Sequence, residues 1–246
     1  MKRLVVPLIL FASCFSTYAN DDIQVVTEEL RPLNYLENNQ VKGSSTKIVR
    51  KVLKEANLTA NIQVHPWARS YAMAQNKKNT LIYTINRTPD RESKFKWIGL
   101  LGAHNQGSYL FKLKSNDEIK AVTLEEAKQY SVGASLGDVN YEFLKSEGFK
   151  KIHGVPERNQ SIKMLLRHRV DLIAGSYSIL LEAFKALNEP IDKIEVLMPF
   201  KITRPYIAIS NTSSDRLVNR IRAAYQRLVI SGEIPDFEAQ TARKAF

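Results

Sequence analysis

The chain has 246 residues, of which 44% are apolar or aromatic and 25% are charged, as is usual for a soluble globular protein with one large domain or two lobes. It contains no low-complexity tract, and beyond the first twenty residues no apolar stretch is long enough to span a bilayer. The formal net charge is +11, but the basic residues are spread along the chain without a block of five or six. We therefore predict a solvated basic surface and no nucleic-acid partner.

The first nineteen residues have the pattern of a secretory signal peptide. Residues 2–3 are basic, residues 4–15 form an apolar core too short to span a membrane, and residues 17–19 supply a cleavage site. We expect cleavage after Ala19 and a periplasmic location for the mature chain.

Cys14 is the only cysteine, and it offers an alternative to this cleavage. Lipoprotein processing at Cys14 would anchor the chain, although Phe11 stands where such sites usually have Leu. Cleavage after Ala19 instead leaves no cysteine, so the mature chain would form no disulfide and no thiolate metal site. A cysteine-free chain is typical of a bacterial exported protein that takes its stability from its core.

Strands and helices alternate in the first third of the mature chain. The strands are short and β-branched, and the apolar residues of the first helix recur at helical spacing. The predicted elements are strand 23–27, a loop at 28–35, a turn-rich stretch at 38–43, a helix from 44, strand 62–64, helix 67–75 and strand 81–85. This alternation predicts a largely parallel sheet covered by helices on both sides.

A polar turn with two arginines comes after the strand at 81–85. The strand breaks at Asn86, Pro89 fixes φ in the turn, and Asp90 is in position to cap the segment after the turn. Arg87 and Arg91 lie just past the carboxyl end of the strand, where open α/β sheets bind ligands. A guanidinium there suits a carboxylate or phosphate, but both arginines are equally compatible with solvated loop charges or helix-end salt bridges.

A second α/β unit comes after a small, polar segment at 102–108 that predicts a crossing between lobes. Its predicted elements are strand 109–111, a short helix with a Thr123–Glu126 capping box, strand 131–135, helix 138–147 ended by Gly148, strand 151–153, a helix capped by Asn159, strand 170–174, helix 176–187 and strand 194–197.

Near residues 201–204 the chain crosses back, because a strand at 205–209 and a long amphipathic helix come next. We therefore predict an α/β fold of two lobes with mixed, mostly parallel sheets, a hinge and an interlobe cleft, which is a favoured place for ligands. The expected boundaries are 1–19 for the signal peptide, 20–104 and 204–246 for lobe 1, and 105–203 for lobe 2.

Four segments resemble those of the bacterial extracellular solute-binding proteins of family 3, the polar amino acid type. Residues 88–91 match the T-P-E-R turn of that family, which is the most specific likeness. Residues 31–35 resemble its early aromatic-Pro-Pro-Phe-x-Tyr loop, residues 132–137 its V-G-V-x-x-G segment, and residues 169–172 its G-R-x-D-A strand start. The resemblance covers nearly all of the mature chain and implies a type II periplasmic binding fold.

The resemblance also implies a role for Arg91, which stands at the position of the arginine that grips a ligand carboxylate in the family. A bidentate Arg–carboxylate pair supplies orientation as well as energy. Asn86 and Thr88 are near it in sequence and are further ligand candidates. Arg87 is not part of the general family pattern, so a second ligand contact and a surface charge are both open for it.

Departures from the family pattern affect one wall of the pocket and lobe 2. Arg31 and Leu33 replace the family's first Pro and its Phe, so this wall is less aromatic. Asp138 stands where the family often has a threonine that helps to hold the carboxylate, and it either caps its helix or faces a ligand ammonium. Ser176 replaces the acidic residue that usually meets the α-ammonium, which argues against an ordinary α-amino acid ligand.

Two aromatic residues complete the candidate set. Trp67 comes directly after a strand end in a Pro-Trp-x-Arg segment that resembles some uncharacterised branches of the family. Its ring either stacks on a ligand or packs in the core. Tyr35 ends the early loop and is either a ligand wall or a solvated loop residue.

The expected function is that of a non-enzymatic protein that closes around a small carboxylate-bearing solute and presents the closed form to an inner-membrane ABC permease or to a sensor protein. The alternative is an enzyme on the same fold, such as a dehydratase, with Glu28, Glu29 or Asp138 as its acid. The four histidines, at 65, 104, 153 and 168, form no nucleophile motif and no metal-ligand spacing. We therefore expect no catalytic residue, no metal and no cofactor.

Overall fold

The computed structural model of the chain describes residues 22–102 and 106–243. The expected signal peptide, its alternative at Cys14 and the expected lobe boundary at 104/105 lie outside these residues. In the described part, none of the helices has both the length and the apolar character needed to cross a membrane.

The described residues form twelve strands: β1 Gln24–Thr27, β2 Tyr35–Glu37, β3 Gln40–Lys42, β4 Ile62–Val64, β5 Thr80–Asn86, β6 Phe95–Leu100, β7 Gln106–Leu113, β8 Val132–Ser135, β9 Ile152–Val155, β10 Leu172–Gly175, β11 Ile194–Thr203 and β12 Pro205–Ser210. They also form nine α-helices: α1 Ser44–Glu55, α2 Trp67–Asn76, α3 Pro89–Glu92, α4 Leu124–Ala127, α5 Val139–Ser146, α6 Arg158–Leu166, α7 Tyr177–Ala186, α8 Asp215–Ile230 and α9 Phe237–Arg243. A 3-10 turn at Ile191–Lys193 precedes β11.

The first sheet has the strand order β4-β1-β5-β12-β6. Strands β1, β4 and β5 are parallel, and β12 runs antiparallel to both of its neighbours. Helices α1 and α8 bury their apolar stripes against one face of this sheet. Helix α2 covers the other face, where Trp67 and Ala74 join a second buried cluster. Apolar burial on both faces is the main source of stability for such a layered unit.

The second sheet repeats this plan with the strand order β11-β7-β10-β8-β9. Strands β8, β9 and β10 are parallel, and β7 runs antiparallel to β10 and β11. Phe111 and Phe184 are fully buried on the face covered by α6 and α7, whereas Leu144 of α5 packs on the opposite face. The expected α/β architecture with mixed sheets is confirmed, and four of the eight strand pairings in the two five-stranded sheets are parallel.

The chain passes between the sheets twice, and the described residues that flank the two crossings are paired with each other. The first comes after β6, and the second is the single residue Arg204 between β11 and β12. The amide of Leu101 donates to the carbonyl of Pro205 at 2.8 Å, which joins the two crossings near the first sheet. Two adjacent strands of chain form the covalent connection on which two lobes could rotate. The residue boundaries of the lobes stay a prediction.

A β-bulge at Thr84 changes the direction of the side chains in β5. Two consecutive residues of β12 pair with Tyr83 and Ile85, which leaves Thr84 as the extra residue. Its φ is 62°, an unusual value for a β-branched residue, and its hydroxyl donates to Oδ1 of Asn34 at 2.6 Å. Because of the bulge, Ile85 packs on the same side of the sheet as Ile82.

Residues 35–42 form a hairpin whose turn lies in the predicted turn-rich stretch, where Asn38 and Asn39 adopt φ values of 50° and 58° that suit a tight turn. Two local expectations were wrong. Asn159 lies inside α6, for which Glu157 occupies the N-cap position. Asp90 does not cap a later helix, since it lies within α3 itself and Thr88 is at the N-cap.

Gly99 allows α8 to approach β6 closely. A Cβ atom at this position would lie 2.4 Å from the ring of Tyr225, whose hydroxyl donates to the carbonyl of Leu100 at 2.8 Å. Gly102 is a matched comparison, because a Cβ there would meet only Pro205, at an ordinary 3.6 Å.

We expect Gly99→Ala to destabilise the protein by about 1–3 kcal/mol through overpacking, which corresponds to a Tm lower by roughly 2–12 °C. Gly102→Ala should leave Tm near that of the wild type. Thermal unfolding followed by circular dichroism measures both variants. Equal Tm values for Gly99→Ala and the wild type would show that the Tyr225 ring has room to move.

Candidate functional site

A small cavity lies where strand ends from the two sheets face each other. Glu28 comes directly after β1 and Asn86 ends β5, whereas Asp138, Arg158 and Ser176 come after β8, β9 and β10. All five residues are therefore at the carboxyl ends of parallel strands, the usual position of ligands in α/β sheets. The cavity measures about 50 Å³. Since a water molecule occupies about 30 Å³ in the liquid, only a very small guest fits while the cleft is this narrow.

Arg91 forms the inner wall of this cavity on the side of the first sheet. Its side chain extends from α3, and the residue is only 5% exposed. The guanidinium donates to the carbonyls of Asn86 at 3.3 Å and of Gly137 at 3.2 Å, and it lies 5.4 Å from the ring centre of Trp67 and 5.1 Å from that of Tyr71. Among the described residues, no carboxylate lies within ion-pair distance of it. Burial lowers the pKa of Arg91.

The carbonyl of Gly137 joins the two sheets across the cleft. It accepts a hydrogen bond from Nε1 of Trp67 at 2.8 Å in addition to that from Arg91. Gly137 has a φ of 71°, a left-handed conformation that glycine adopts without strain. Both donors come from the first sheet's side of the cleft, so these bonds are made only while the lobes are together.

Arg158 lines the cavity and lies between two carboxyl groups. Its guanidinium lies 3.7 Å from Oδ2 of Asp138 and 3.9 Å from Oε2 of Glu28, and all three side chains are close to fully buried. The contact with Glu28 is a second link between the lobes. Asp138 also caps α5, because its Oδ1 accepts the amides of Asn140 at 2.9 Å and Tyr141 at 2.8 Å.

Burial shifts the acidity of both carboxyl groups. It raises the pKa of Glu28 from the ordinary 4.5 to about 7, against the lowering effect of Arg158, while the nearby Asp138 raises it further. Burial likewise raises the pKa of Asp138, and Arg158 opposes this rise. At neutral pH two guanidinium groups thus face less than two full negative charges, and the cavity has a positive excess.

Three buried polar atoms on the cavity wall have no hydrogen-bond partner among the described residues. They are Oδ1 of Asn140, Nε of Arg158 and Oγ of Ser176. Buried polar atoms are normally paired, and an unpaired one costs about 1–3 kcal/mol. The cavity wall therefore offers donors and an acceptor to a small polar guest.

The structure brings together five of the eight residues predicted from sequence: Arg91, Asn86, Trp67, Asp138 and Ser176 all line the cavity. Thr88 lies instead in a groove of about 740 Å³ on the outer side of Arg91, which we call the outer groove. Trp67 was expected either in the core or at the ligand, and its buried ring packs in the core and also borders the cavity.

Arg87 and Tyr35 lie outside both the cavity and the outer groove. Nε of Arg87 donates to Glu92 at 2.7 Å on the surface, and its guanidinium faces the rings of Trp97 and Tyr206. The ring of Tyr35 is covered by Arg31, whose guanidinium carbon lies 4.0 Å from the ring centre.

Sequence reasoning missed Arg158 as a site residue and considered Glu28 only as a possible acid. A signal for both was present, because each comes after the carboxyl end of a predicted strand. Among the described residues, no group of three His, Cys, Asp or Glu side chains is arranged to hold a metal ion.

The sequence matches the family model described as bacterial extracellular solute-binding proteins, family 3, over residues 23–240. A search of the curated proteins gives no match.

Several solved structures share the fold. A histidine kinase sensor domain with similarity to periplasmic binding proteins superposes with a TM-score of 0.76 at 14% identity, covering 91% of this chain and 96% of that one. An ancestral arginine-binding protein bound to arginine superposes with a TM-score of 0.72 at 18% identity, covering 90% of this chain and 96% of that one. The arginine-, lysine-, histidine-binding protein ArtJ from Geobacillus stearothermophilus superposes with a TM-score of 0.72 at 17% identity, covering 88% of this chain and 94% of that one. The chain thus has the two-lobed type II periplasmic binding fold that the sequence predicted.

The raised pKa of Glu28 predicts a pH dependence of stability. The folded state binds the proton of Glu28 more tightly than the unfolded state, so stability falls as pH rises from 4.5 through about 7. Glu28→Gln imitates the protonated form at all pH values. Relative to this variant, the free energy of unfolding of the wild type should fall by up to about 3 kcal/mol between pH 4.5 and pH 8.

Chemical denaturation of both proteins at a series of pH values measures this difference. Glu29→Gln, which alters the neighbouring exposed carboxylate, is the control and should behave like the wild type. If the free energies of unfolding of the wild type and of Glu28→Gln differ by the same amount at every pH in this range, Glu28 titrates as an exposed carboxylate does.

Proposed function

Because the chain belongs to the bacterial extracellular solute-binding proteins of family 3, we propose that it closes its two lobes in the periplasm around a small carboxylate-bearing solute, an amino acid or a related compound. The closed form then serves ABC-type uptake through an inner-membrane permease, or sensing through a partner protein. The extracellular character of the family and the signal-like first nineteen residues support the location.

One observation carries the carboxylate assignment, namely the state of Arg91. Its guanidinium is buried at the interlobe cavity, where it contacts backbone carbonyls and the side chains of Trp67 and Tyr71, and no carboxylate lies within ion-pair distance of it among the described residues. A guanidinium has five N–H donors, so much of its capacity is unused. A ligand carboxylate would compensate the buried charge and accept two parallel hydrogen bonds.

The cavity composition supports a binding site in which both lobes take part. Arg91, Asn86 and Glu28 belong to the first sheet's side, and Asp138, Arg158 and Ser176 to the second. We assign the ligand contacts to these residues and to Trp67, and we leave Arg87 and Tyr35 out of the set. Two of the similar structures are named for binding arginine, which itself carries a carboxylate.

Uptake and sensing use the same closed form and differ in the partner that recognises it. The similarity to a sensor domain of a histidine kinase supports sensing as a use of this fold. Co-purification of the mature protein with inner-membrane proteins, in the presence and absence of a stabilising solute, identifies the partner as a permease or a sensor.

A second candidate function, an enzyme such as a dehydratase, is favoured by Glu28. A carboxyl group with a pKa of about 7 beside a guanidinium is suited to donate or accept a proton near neutral pH. We propose binding without turnover, because Arg158 lies directly against Glu28 and competes with a substrate for it.

We expect Arg91→Ala to remove about half or more of the thermal stabilisation that a solute at about 100 times its wild-type Kd gives to the wild type. Loss of a charge-assisted pair costs about 1.5–3 kcal/mol, which raises Kd roughly 10- to 150-fold. A thermal-shift screen of amino acids, dicarboxylates and small peptides finds the solute, since binding only to the native state raises Tm.

Arg87→Ala is the matched control for this experiment. It removes an arginine four residues away that is paired with Glu92 on the surface, and such exposed pairs contribute little to stability. It should keep the full thermal shift. The assignment of Arg91 is wrong if Arg91→Ala folds, as judged by circular dichroism, and still shows the shift of the wild type.

For each stabilising solute, we expect mass spectrometry to recover the compound unchanged after prolonged incubation with the protein. Conversion of the solute by the wild type, together with its absence in Glu28→Gln, would establish the enzymatic alternative instead.

A further inference from the structure

The carboxylate of the second lobe that borders the cavity is already engaged within the protein. Oδ1 of Asp138 accepts two backbone amides at the start of α5, and Oδ2 faces the guanidinium of Arg158 at 3.7 Å. A carboxylate used in this way as a helix cap and an ion-pair partner has little capacity left for a ligand. The same guanidinium also faces Glu28 across the cleft, at 3.9 Å.

The polar groups that stay unpaired on this wall suit a hydroxyl better than an ammonium. Nε of Arg158 can only donate, Oδ1 of Asn140 can only accept, and the hydroxyl of Ser176 can do either, so a ligand hydroxyl can pair with all three kinds of group. An ammonium has three donors and no acceptor, so it would leave the Arg158 donor unpaired and bring a positive charge against a guanidinium. A hydroxyl or a carboxylate on the ligand can accept from both Arg158 and Ser176.

We propose that Arg158 determines specificity and that the site selects small carboxylates whose second polar group is a hydroxyl or another carboxylate, in preference to α-amino acids. This inference rests on the proposed function, since it takes Arg91 as the contact for the first carboxylate. Arg158 occupies the place between Glu28 and Asp138 that a ligand ammonium would take.

The electrostatics of the cavity support this selection. Burial raises the pKa of Glu28 to about 7, so this carboxyl group is not fully ionised at neutral pH, and Arg158 lies beside both Glu28 and Asp138. Arg91 and Arg158 stay charged, because a guanidinium is not deprotonated in proteins. The net positive field then favours an anion over a zwitterion, and a dianion most of all.

The test compares pairs of compounds that differ only in the group at the α-carbon. The pairs are L-lactate with L-alanine, L-malate with L-aspartate, and (S)-2-hydroxyglutarate with L-glutamate. At a concentration about 100 times Kd, the hydroxy acid of at least one pair should raise Tm of the wild type by roughly 5–10 °C. Its amino acid partner should raise Tm less, with a Kd at least about tenfold higher by calorimetry.

Two arginine variants test the role of Arg158 itself. Arg158→Gln removes the positive charge and leaves Glu28 and Asp138 open to an ammonium, so the ratio of the two Kd values should shift toward the amino acid by at least about tenfold. Arg169→Gln alters an exposed arginine on the same lobe, away from the cavity, and should keep the wild-type ratio.

The outcomes separate this inference from the proposed function. Tighter binding of the amino acid in all responding pairs by the wild type overturns the inference and leaves the proposed function intact. An unchanged ratio in a folded Arg158→Gln variant also overturns it. If Arg158→Gln does not fold, the wild-type ratios decide alone. A wild type that responds to no compound in the pairs overturns the inference, and one that also fails to respond to the wider screen overturns the proposed function.

Discussion

Four ionisable side chains share one buried cavity, and their mutual compensation determines the chemistry of the site. Arg158 lies within 4 Å of both Glu28 and Asp138, so the cost of burying three charges is partly met inside the cluster. The long separations and the raised pKa of Glu28 show that this compensation is incomplete. Arg91 lowers the pKa of both carboxyl groups from a greater distance, but among the described residues it has no carboxylate within ion-pair distance and contacts carbonyls and aromatic rings. Such a group suits a binding protein, because a ligand gains the most binding free energy where it pairs with a charge that has no ion-pair partner within the protein.

The backbone that presents these groups is held by buried polar contacts. Asn34 links the early loop to β5, since its Nδ2 donates to the carbonyl of Glu28 at 2.7 Å and its Oδ1 accepts from Thr84 at 2.6 Å. Thr84 keeps a left-handed φ at the bulge, a conformation that costs about 1–3 kcal/mol for such a residue. The strain and the hydrogen bonds together fix the position of Glu28 at the end of β1. Backbone strain of this kind is found where a structure needs an unusual side-chain direction.

Local patterns in the sequence predicted the local structure well, because periodicity and turn residues act over a few positions. The strand at Ile62–Val64 and the start of α1 at Ser44 agree directly with such patterns. Arg91 was found through a motif of four residues. Arg158 and Glu28 were not, since their importance depends on which strand ends face each other across two sheets that are far apart in sequence. The two roles considered for Asp138 could not be separated for the same reason: the cap is local, but the ion pair with Arg158 is not.

Closure and ligand binding depend on the same few groups. The contacts that join the lobes across the cavity run from Trp67 and Arg91 to the carbonyl of Gly137, and from Arg158 to Glu28. A solute that accepts hydrogen bonds from Arg91 meets the guanidinium beside the carbonyl that holds the lobes together. Its binding free energy is therefore coupled to the equilibrium between open and closed forms, and a solute can shift that equilibrium only by its differential affinity for the two. Both Arg91 and Arg158 make contacts across the cleft, but Arg91 alone among the four ionisable groups lacks a charged partner within ion-pair distance in the described residues, so a ligand carboxylate adds most to the closed form at Arg91.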